Sequence, residues 1–206
     1  RVGIVGAGLS GIELASELRE SRSDLEILLY DRGPRILRNF PEKLSKYISK
    51  WFSKHDVTVV PNSVIDRVEP GKIYNNGQPE DIDLVVWTAG IQPVEVVRNL
   101  PIDLSNTGRV ILNQYHQVPT YKNVYVVGDC ADLPHAPSAQ LAELQGDQIA
   151  DVLKKQWNNE SLPDKMPEIK IQGFLGSLGD KQGFAYIMDR TVTCLLYTSP
   201  SPRDLS

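Results

Sequence analysis

The sequence predicts an α/β fold built on parallel strands, and three observations carry that expectation. Val2 to Val5 is a short apolar strand that enters a glycine turn, Gly6-Ala7-Gly8-Leu9-Ser10-Gly11. An amphipathic run follows, with Leu9, Ile12, Leu14, Ala15 and Leu18 at helical spacing. A second apolar strand, Leu25 to Tyr30, closes on Asp31, and Gly33-Pro34 breaks the chain before a helix from about Glu42 to His55. The run Asp83 to Trp87 returns to the buried type, so strands and helices alternate as they do when helices cover a parallel sheet.

The remaining elements follow in order. Val57 to Val60 and Ser63 to Val68 read as short strands, and the turn signals Pro70-Gly71 and Asn75-Asn76-Gly77 predict a small antiparallel excursion. Tyr47 and Trp51 share one face of the second helix, where core packing is the expectation. After Thr88-Ala89-Gly90 the pattern loosens through Pro101. Arg109 to Leu112 and Asn123 to Val127 read as strands of a different sheet, which places a domain boundary near residues 105 to 112. Ser138 to Gln156 is helical through Leu141, Leu144, Ile149, Val152 and Leu153, with Ser138 as the N-cap. Asn158 to Pro167 is a polar linker.

Composition narrows the function. The 206 residues carry 22 Lys and Arg against 26 Asp and Glu, a net charge of −4, with 41% apolar residues. The charge has the wrong sign for a polybasic nucleic-acid binder, and no apolar run reaches the roughly 18 residues of a membrane span. The apolar share is too high for a disordered chain. Cys130 and Cys194 allow one disulfide at most, and neither they nor the scattered His55, His116 and His135 have metal-ligand spacing. A metal site is therefore not expected.

Both ends read as unnatural. The chain opens on Arg1 and enters a strand at once, as a start inside a longer protein would. From Cys194 the text CLLYTSPSPRDLS follows abruptly on FAYIMDRTV and reads as translated adapter sequence; a Pro-rich natural tail is the competing reading.

The strongest chemical signal is the glycine turn. Gly6 permits the tight turn, Gly8 lets backbone approach a pyrophosphate, and Gly11 lets helix and strand pack closely, while the helix N-terminus faces the phosphates. Leu9 heads that helix. Asp31 stands 20 residues beyond Gly11 at the end of the second strand, where a carboxylate accepts from both ribose hydroxyls and repels a 2′-phosphate. NADH is thus favoured. Arg32 and Arg35 keep NADPH open, because a guanidinium beside the ribose pairs with that phosphate; solvated loop charge is the alternative.

Gly-Ala-Gly-Leu-Ser-Gly-Ile-Glu at 6 to 13, Trp87-Thr88-Ala89-Gly90, Val126-Val127-Gly128-Asp129-Cys130-Ala131 and Pro137-Ser138-Ala139-Gln140 together resemble the type II NADH dehydrogenases. The resemblance implies an FAD-containing NADH:quinone oxidoreductase with the two-dinucleotide-binding-domain flavoprotein fold. In that fold the NADH domain is inserted into the FAD domain. Residues 1–108 would then be a Rossmann-like NADH-binding domain, 109–157 the C-terminal half of the FAD domain, 158–193 the start of a membrane-associated region, and 194–206 the adapter tail. The cofactors implied are FAD and NADH. The partners are a quinone, menaquinone or ubiquinone, and the membrane surface, with a homodimer compatible and no nucleic acid. The location implied is peripheral, on the cytoplasmic face of the cell membrane.

The resemblance also assigns residues. Glu13, one turn past the phosphate loop, would sit near the nicotinamide and the quinone approach; a solvated helix carboxylate is the competing reading. Ala89 and Gly90 end a strand where a ligand docks. The Gly128-Asp129 pair would hold an FAD ribityl hydroxyl. The helix-start amides of Ala139, Gln140 and Leu141 would stabilise negative charge on the flavin, and the Gln140 side chain would lie near the quinone head. The family text there is close to Ala-Gln-x-Ala-x-Gln, whereas this chain has Leu144 with Gln145 one place on. One residue of slip turns a side chain by about 100° on a helix, so Gln145 does not simply substitute. Cys130 reads as a small hydrophobe. A disulfide or ferredoxin-type flavin reductase and a non-catalytic NADH-binding module remain the alternatives to the quinone enzyme.

Overall fold

Sequence order gives ten strands and four α-helices among the described residues of a computed structural model, which describes residues 1–134, 137–171, 173–188 and 190–196. They are β1 (Val2–Val5), α1 (Leu9–Ser21), β2 (Ile27–Tyr30), α2 (Glu42–Lys54), β3 (Val57–Val60), β4 (Ile65–Glu69), β5 (Lys72–Asn75), β6 (Gln78–Asp81), β7 (Leu84–Trp87), α3 (Glu95–Arg98), α4 (Ala139–Trp157), β8 (Gly173–Leu178), β9 (Gln182–Ile187) and β10 (Arg190–Leu196). Contacts divide the chain into two compact units. One holds Arg1–Gly90 together with β8 to β10, and the other holds Ile91–Ile171.

In the first unit the strands with unbroken apolar text, β1 and β2, are central in a parallel sheet of order β3-β2-β1-β7. Alternation along β2 sorts its side chains to two faces. Ile27 and Leu29 meet Ile12 and Ala15 of α1 and Leu44, Ile48, Trp51 and Phe52 of α2, whereas Leu28 and Tyr30 meet Ile73 and Ile82. The antiparallel excursion of β4, β5 and β6 therefore supplies the cover on the face opposite the helices. Its two tight turns are Pro70-Gly71 and Asn76-Gly77, as the turn signals predict. The chain leaves β1 toward β2 on one side and returns to β7 on the other, so β1 and β7 flank the point where strand order reverses. Ligands bind at the carboxyl ends of such strands.

The strands β8 to β10 form a separate antiparallel sheet that packs on α1. Leu178 and Phe184 are buried in the same core as Ile12 and Ala15. β8 is the edge strand of this sheet, and α1 meets it and the turn that follows: the Ser177 N–H of β8 donates to Glu13 Oε1 at 3.0 Å, and the Asp180 N–H of the β8–β9 turn donates to Glu20 Oε2 at 2.5 Å. The region expected to begin the membrane-associated segment thus contributes a sheet to the first unit. Of the expected adapter tail, Cys194 to Leu196 continue β10 by backbone, and residues 197–206 lie outside the described residues.

The second unit contains α3, a single 3₁₀ turn at Gly128–Cys130, and α4. Ser138 caps α4 as expected, its hydroxyl accepting the Leu141 N–H at 3.2 Å. Arg109 to Leu112 and Asn123 to Val127, expected as strands, instead make isolated bridges: Val110 with Leu104 and Ala131, and Tyr125 with Gln117. Strand structure needs a laddered neighbour, and single bridges supply none. The unit also begins earlier than the expected boundary near 105 to 112. The reason is local: Ser105 N–H donates to Arg109 O at 2.7 Å and Ile111 N–H to Asp103 O at 3.0 Å, which ties the residues on both sides of that boundary together. Among the described residues no helix is long and apolar enough to cross a membrane, and no cluster of His, Cys, Asp and Glu has the geometry to hold a metal.

Candidate dinucleotide sites

In the first unit β1 delivers the chain into a loop that only glycine at Gly6 and Gly11 allows. A Cβ on Gly6, where φ is +111°, would stand 2.8 Å from the Ala89 amide nitrogen. A Cβ on Gly11 would collide with the Gly6 carbonyl oxygen and lie 2.9 Å from Thr88 Oγ1. Thr88 locks this arrangement, because its hydroxyl is 3.0 Å from Val5 O and 2.9 Å from Gly6 O, and its amide donates to Val5 O at 2.9 Å. Gly8 and Gly90 differ: a Cβ on either meets nothing within 4 Å. Open space over two backbone positions at the carboxyl end of the sheet is the space that a ligand's backbone-bound portion needs.

Electrostatics assigns the ligand's charge. The N-cap of α1 is Gly8, which has no side chain, and the first turn carries no acidic residue. The amides of Leu9, Ser10 and Gly11 have no partner within the helix, so the positive end of α1 is left for an anion. At the adjoining strand end, Asp31 Oδ2 accepts the Ala7 N–H at 2.8 Å and Oδ1 the Gly33 N–H at 2.7 Å. A carboxylate offers about four lone-pair sites, so roughly two remain for ribose hydroxyls. Of the two candidate partners for a 2′-phosphate, Arg35 is otherwise engaged: its guanidinium donates to the carbonyls of Leu37, Arg38 and Phe40 at 2.8 to 2.9 Å. Arg32 is exposed.

In the second unit the Gly128–Cys130 turn stands against α4. A Cβ on Gly128, where φ is +68°, would touch Ala142 Cβ at 3.4 Å. The Gly128 N–H donates to Gln145 Oε1 at 2.7 Å, and Arg109 Nε donates to the Asp129 carbonyl at 3.1 Å. Asp129 is exposed at the tip of this turn. At the start of α4 the Leu141 amide is taken by Ser138, which leaves those of Ala139 and Gln140 with no partner inside the helix. Gln140 is half-buried and Leu141 buried.

The family described as pyridine nucleotide-disulphide oxidoreductase matches over residues 1–146, the span from the glycine loop to the middle of α4. The chain belongs to this family. It is 57% identical over 189 residues to the NADH dehydrogenase-like protein YutJ of Bacillus subtilis (strain 168), covering 92% of this chain and 53% of that protein. It is 26% identical over 210 residues to a type II NADH:quinone oxidoreductase of Haemophilus influenzae, covering 88% of this chain and 47% of the relative. The chain thus spans about half the length of these curated relatives. The structure of NDH2 from Plasmodium falciparum in complex with NADH shares the fold at a TM-score of 0.74, with 14% identity over 94% of this chain and 58% of that one.

Within this pyridine nucleotide-disulphide oxidoreductase the structure brings Gly6, Gly8, Leu9, Gly11, Asp31, Ala89 and Gly90 together at one sheet end. Separately, it groups Gly128 and Asp129 with the α4 residue Gln145. Glu13 lies on α1 but is committed through Oε1 to the Ser177 amide, so it is no freely solvated carboxylate. Cys130 is a half-buried free thiol. Trp51 is buried and Tyr47 packs against the same core. His135 lies outside the described residues. Three contributors escaped the sequence reading: the Thr88 hydroxyl as a lock, Gln145 as the acceptor for Gly128, and Glu20 as a second clamp, on the turn after β8. Of these, Glu20 had a visible signal in its spacing of seven residues from Glu13.

The clamp that Glu13 makes on Ser177 can be separated from its charge. Gln at position 13 keeps an oxygen for the Ser177 N–H, whereas Ala removes it and leaves an unpaired edge amide, costing about 1–3 kcal/mol. We expect Glu13→Ala to speed hydrogen exchange at Ser177 while Glu13→Gln leaves it protected. Glu13→Gln should nevertheless slow flavin reduction by NADH, because the charge is gone. An unchanged rate with intact NADH affinity would reduce Glu13 to the clamp alone.

Proposed function

We propose that the chain carries the NADH site and part of the FAD site of an NADH:quinone oxidoreductase of the type II kind, attached peripherally to the cytoplasmic face of the membrane. The observation that carries this reading is the uncapped N-terminus of α1 behind a loop that excludes any Cβ at Gly6 and Gly11, with Asp31 at the neighbouring strand end. The names of the B. subtilis and H. influenzae relatives support it. Bound FAD would supply the redox chemistry, accepting hydride from NADH and passing two electrons to quinone.

The chain's own residues bind and orient. The amides of Leu9, Ser10 and Gly11 hold the NADH pyrophosphate, and Gly8 and Gly90 leave room for its approach. Asp31 accepts from the ribose hydroxyls while fixing Ala7 and Gly33. Asp129 accepts from a ribityl hydroxyl of FAD, and the open amides of Ala139 and Gln140 direct positive potential at the reduced flavin. Glu13 contributes negative charge one turn beyond the phosphate loop.

A different acceptor is favoured by one observation, Leu144 at the place of the family's second glutamine. The test separates the two. In a protein of the full length of the B. subtilis relative that contains this chain, mixing with NADH without oxygen should bleach the oxidised-flavin absorbance, and adding a soluble quinone should restore it. Reoxidation by a disulfide and not by quinone would move the protein to the reductases; no bleaching at all would leave a binding module.

A further inference from the structure

Gln145 uses only half of its amide. The residue is fully buried on α4; Oε1 accepts the Gly128 N–H at 2.7 Å, and Nε2 has no partner among the described residues. A buried donor without an acceptor is destabilising, and an apolar side chain of similar size would remove that penalty. Packing alone therefore does not account for an amide at this position, whereas the bond to Gly128 does.

That bond reaches the chain where it turns. Gly128 has a left-handed φ of +68°, and its carbonyl accepts the Ala131 N–H at 3.0 Å, closing the turn whose tip is Asp129. The other restraints act on backbone beyond Gly128: Arg109 Nε on the Asp129 carbonyl at 3.1 Å and the Val110 N–H on the Cys130 carbonyl at 2.8 Å. Gln145 holds the entry to the turn, at its first residue.

We propose that Gln145 is a positioning residue for FAD: acting through Gly128, it fixes the orientation in which Asp129 receives the flavin's ribityl hydroxyl. The inference rests on the FAD reading of that turn. It also gives the one-residue slip a meaning, since the glutamine that is out of register for a quinone side chain is in register for Gly128.

The experiment compares Gln145→Leu, Asp129→Ala and the double variant with the wild type, each in a protein of the full length of the B. subtilis relative that contains this chain, reading FAD dissociation constant, melting temperature and hydrogen exchange at the Gly128 amide. Leucine removes one unpaired donor, Nε2, and creates another, the Gly128 N–H, so the melting temperature should move little. Exchange at Gly128 should accelerate, and FAD should bind about tenfold more weakly. The double variant should lose no more affinity than Asp129→Ala alone, because both changes act through one turn. Unchanged FAD affinity in Gln145→Leu with a weakened Asp129→Ala overturns the inference and leaves the FAD reading standing. Unchanged affinity in Asp129→Ala overturns the FAD reading and the inference with it.

Discussion

Gly11→Ala should weaken NADH binding about 100-fold or more. The added Cβ would occupy the position of the Gly6 carbonyl oxygen and press on Thr88 Oγ1 at 2.9 Å, and neither can retreat. Gly6 is held against Ala89, and the Thr88 hydroxyl is already bonded to Val5 O and Gly6 O. Forcing extra volume into packed side chains costs about 1–3 kcal/mol, and backbone yields less readily than side chains. Opening the loop by that much moves the α1 amides off the pyrophosphate, so affinity should fall about 100-fold or more, with a lowered melting temperature. Gly8→Ala is the control, since its Cβ meets no protein atom within 4 Å. It should keep the melting temperature and lose NADH affinity only through contact with the ligand. A Gly11→Ala protein that binds NADH as the wild type does would contradict the loop geometry.

Asp31→Ala has the next largest expected effect. It releases two backbone amides, Ala7 and Gly33, and hydrogen bonds to a charged acceptor contribute about 1.5–3 kcal/mol each. The Ala7 bond ties the phosphate loop to the end of β2, next to the bond from Gly6 N–H to Tyr30 O, so its loss loosens the loop before any ribose contact is counted. NADH affinity should fall about 100-fold. NADPH affinity should not rise to compensate, because Arg35 remains bonded to the Leu37, Arg38 and Phe40 carbonyls. Calorimetric titration with both dinucleotides checks this; a variant that prefers NADPH would show that Arg32, or an Arg35 released from its loop, meets the 2′-phosphate.

Much of the first unit was legible because its determinants are local. β1 and β2 are unbroken apolar runs, α2 repeats Leu44, Ile48, Trp51 and Phe52 at helical spacing, and Pro70-Gly71 and Asn76-Gly77 name their own turns. The glycine loop was legible for the same reason, each glycine having a task set by the backbone beside it. The docking of β8 on α1 was not, because it depends on Glu13 and Glu20 meeting backbone amides more than 150 residues away, and an amide carries no sequence signal. The two segments near Val110 and Tyr125 have the composition of strands, and composition cannot say whether a neighbour is present to ladder with. Gln145 shows the same limit at the site: its register along α4 was readable, but its reach to Gly128 was not.

The most direct test follows backbone amide signals while NADH is titrated into the protein. If the uncapped end of α1 and Asp31 form the NADH site, the amides of Gly8, Leu9, Ser10, Gly11 and Gly90 should shift together and saturate, and NADPH should bind about tenfold or more weakly. Saturable binding that leaves those amides unmoved, or equal affinity for NADPH, would contradict the account.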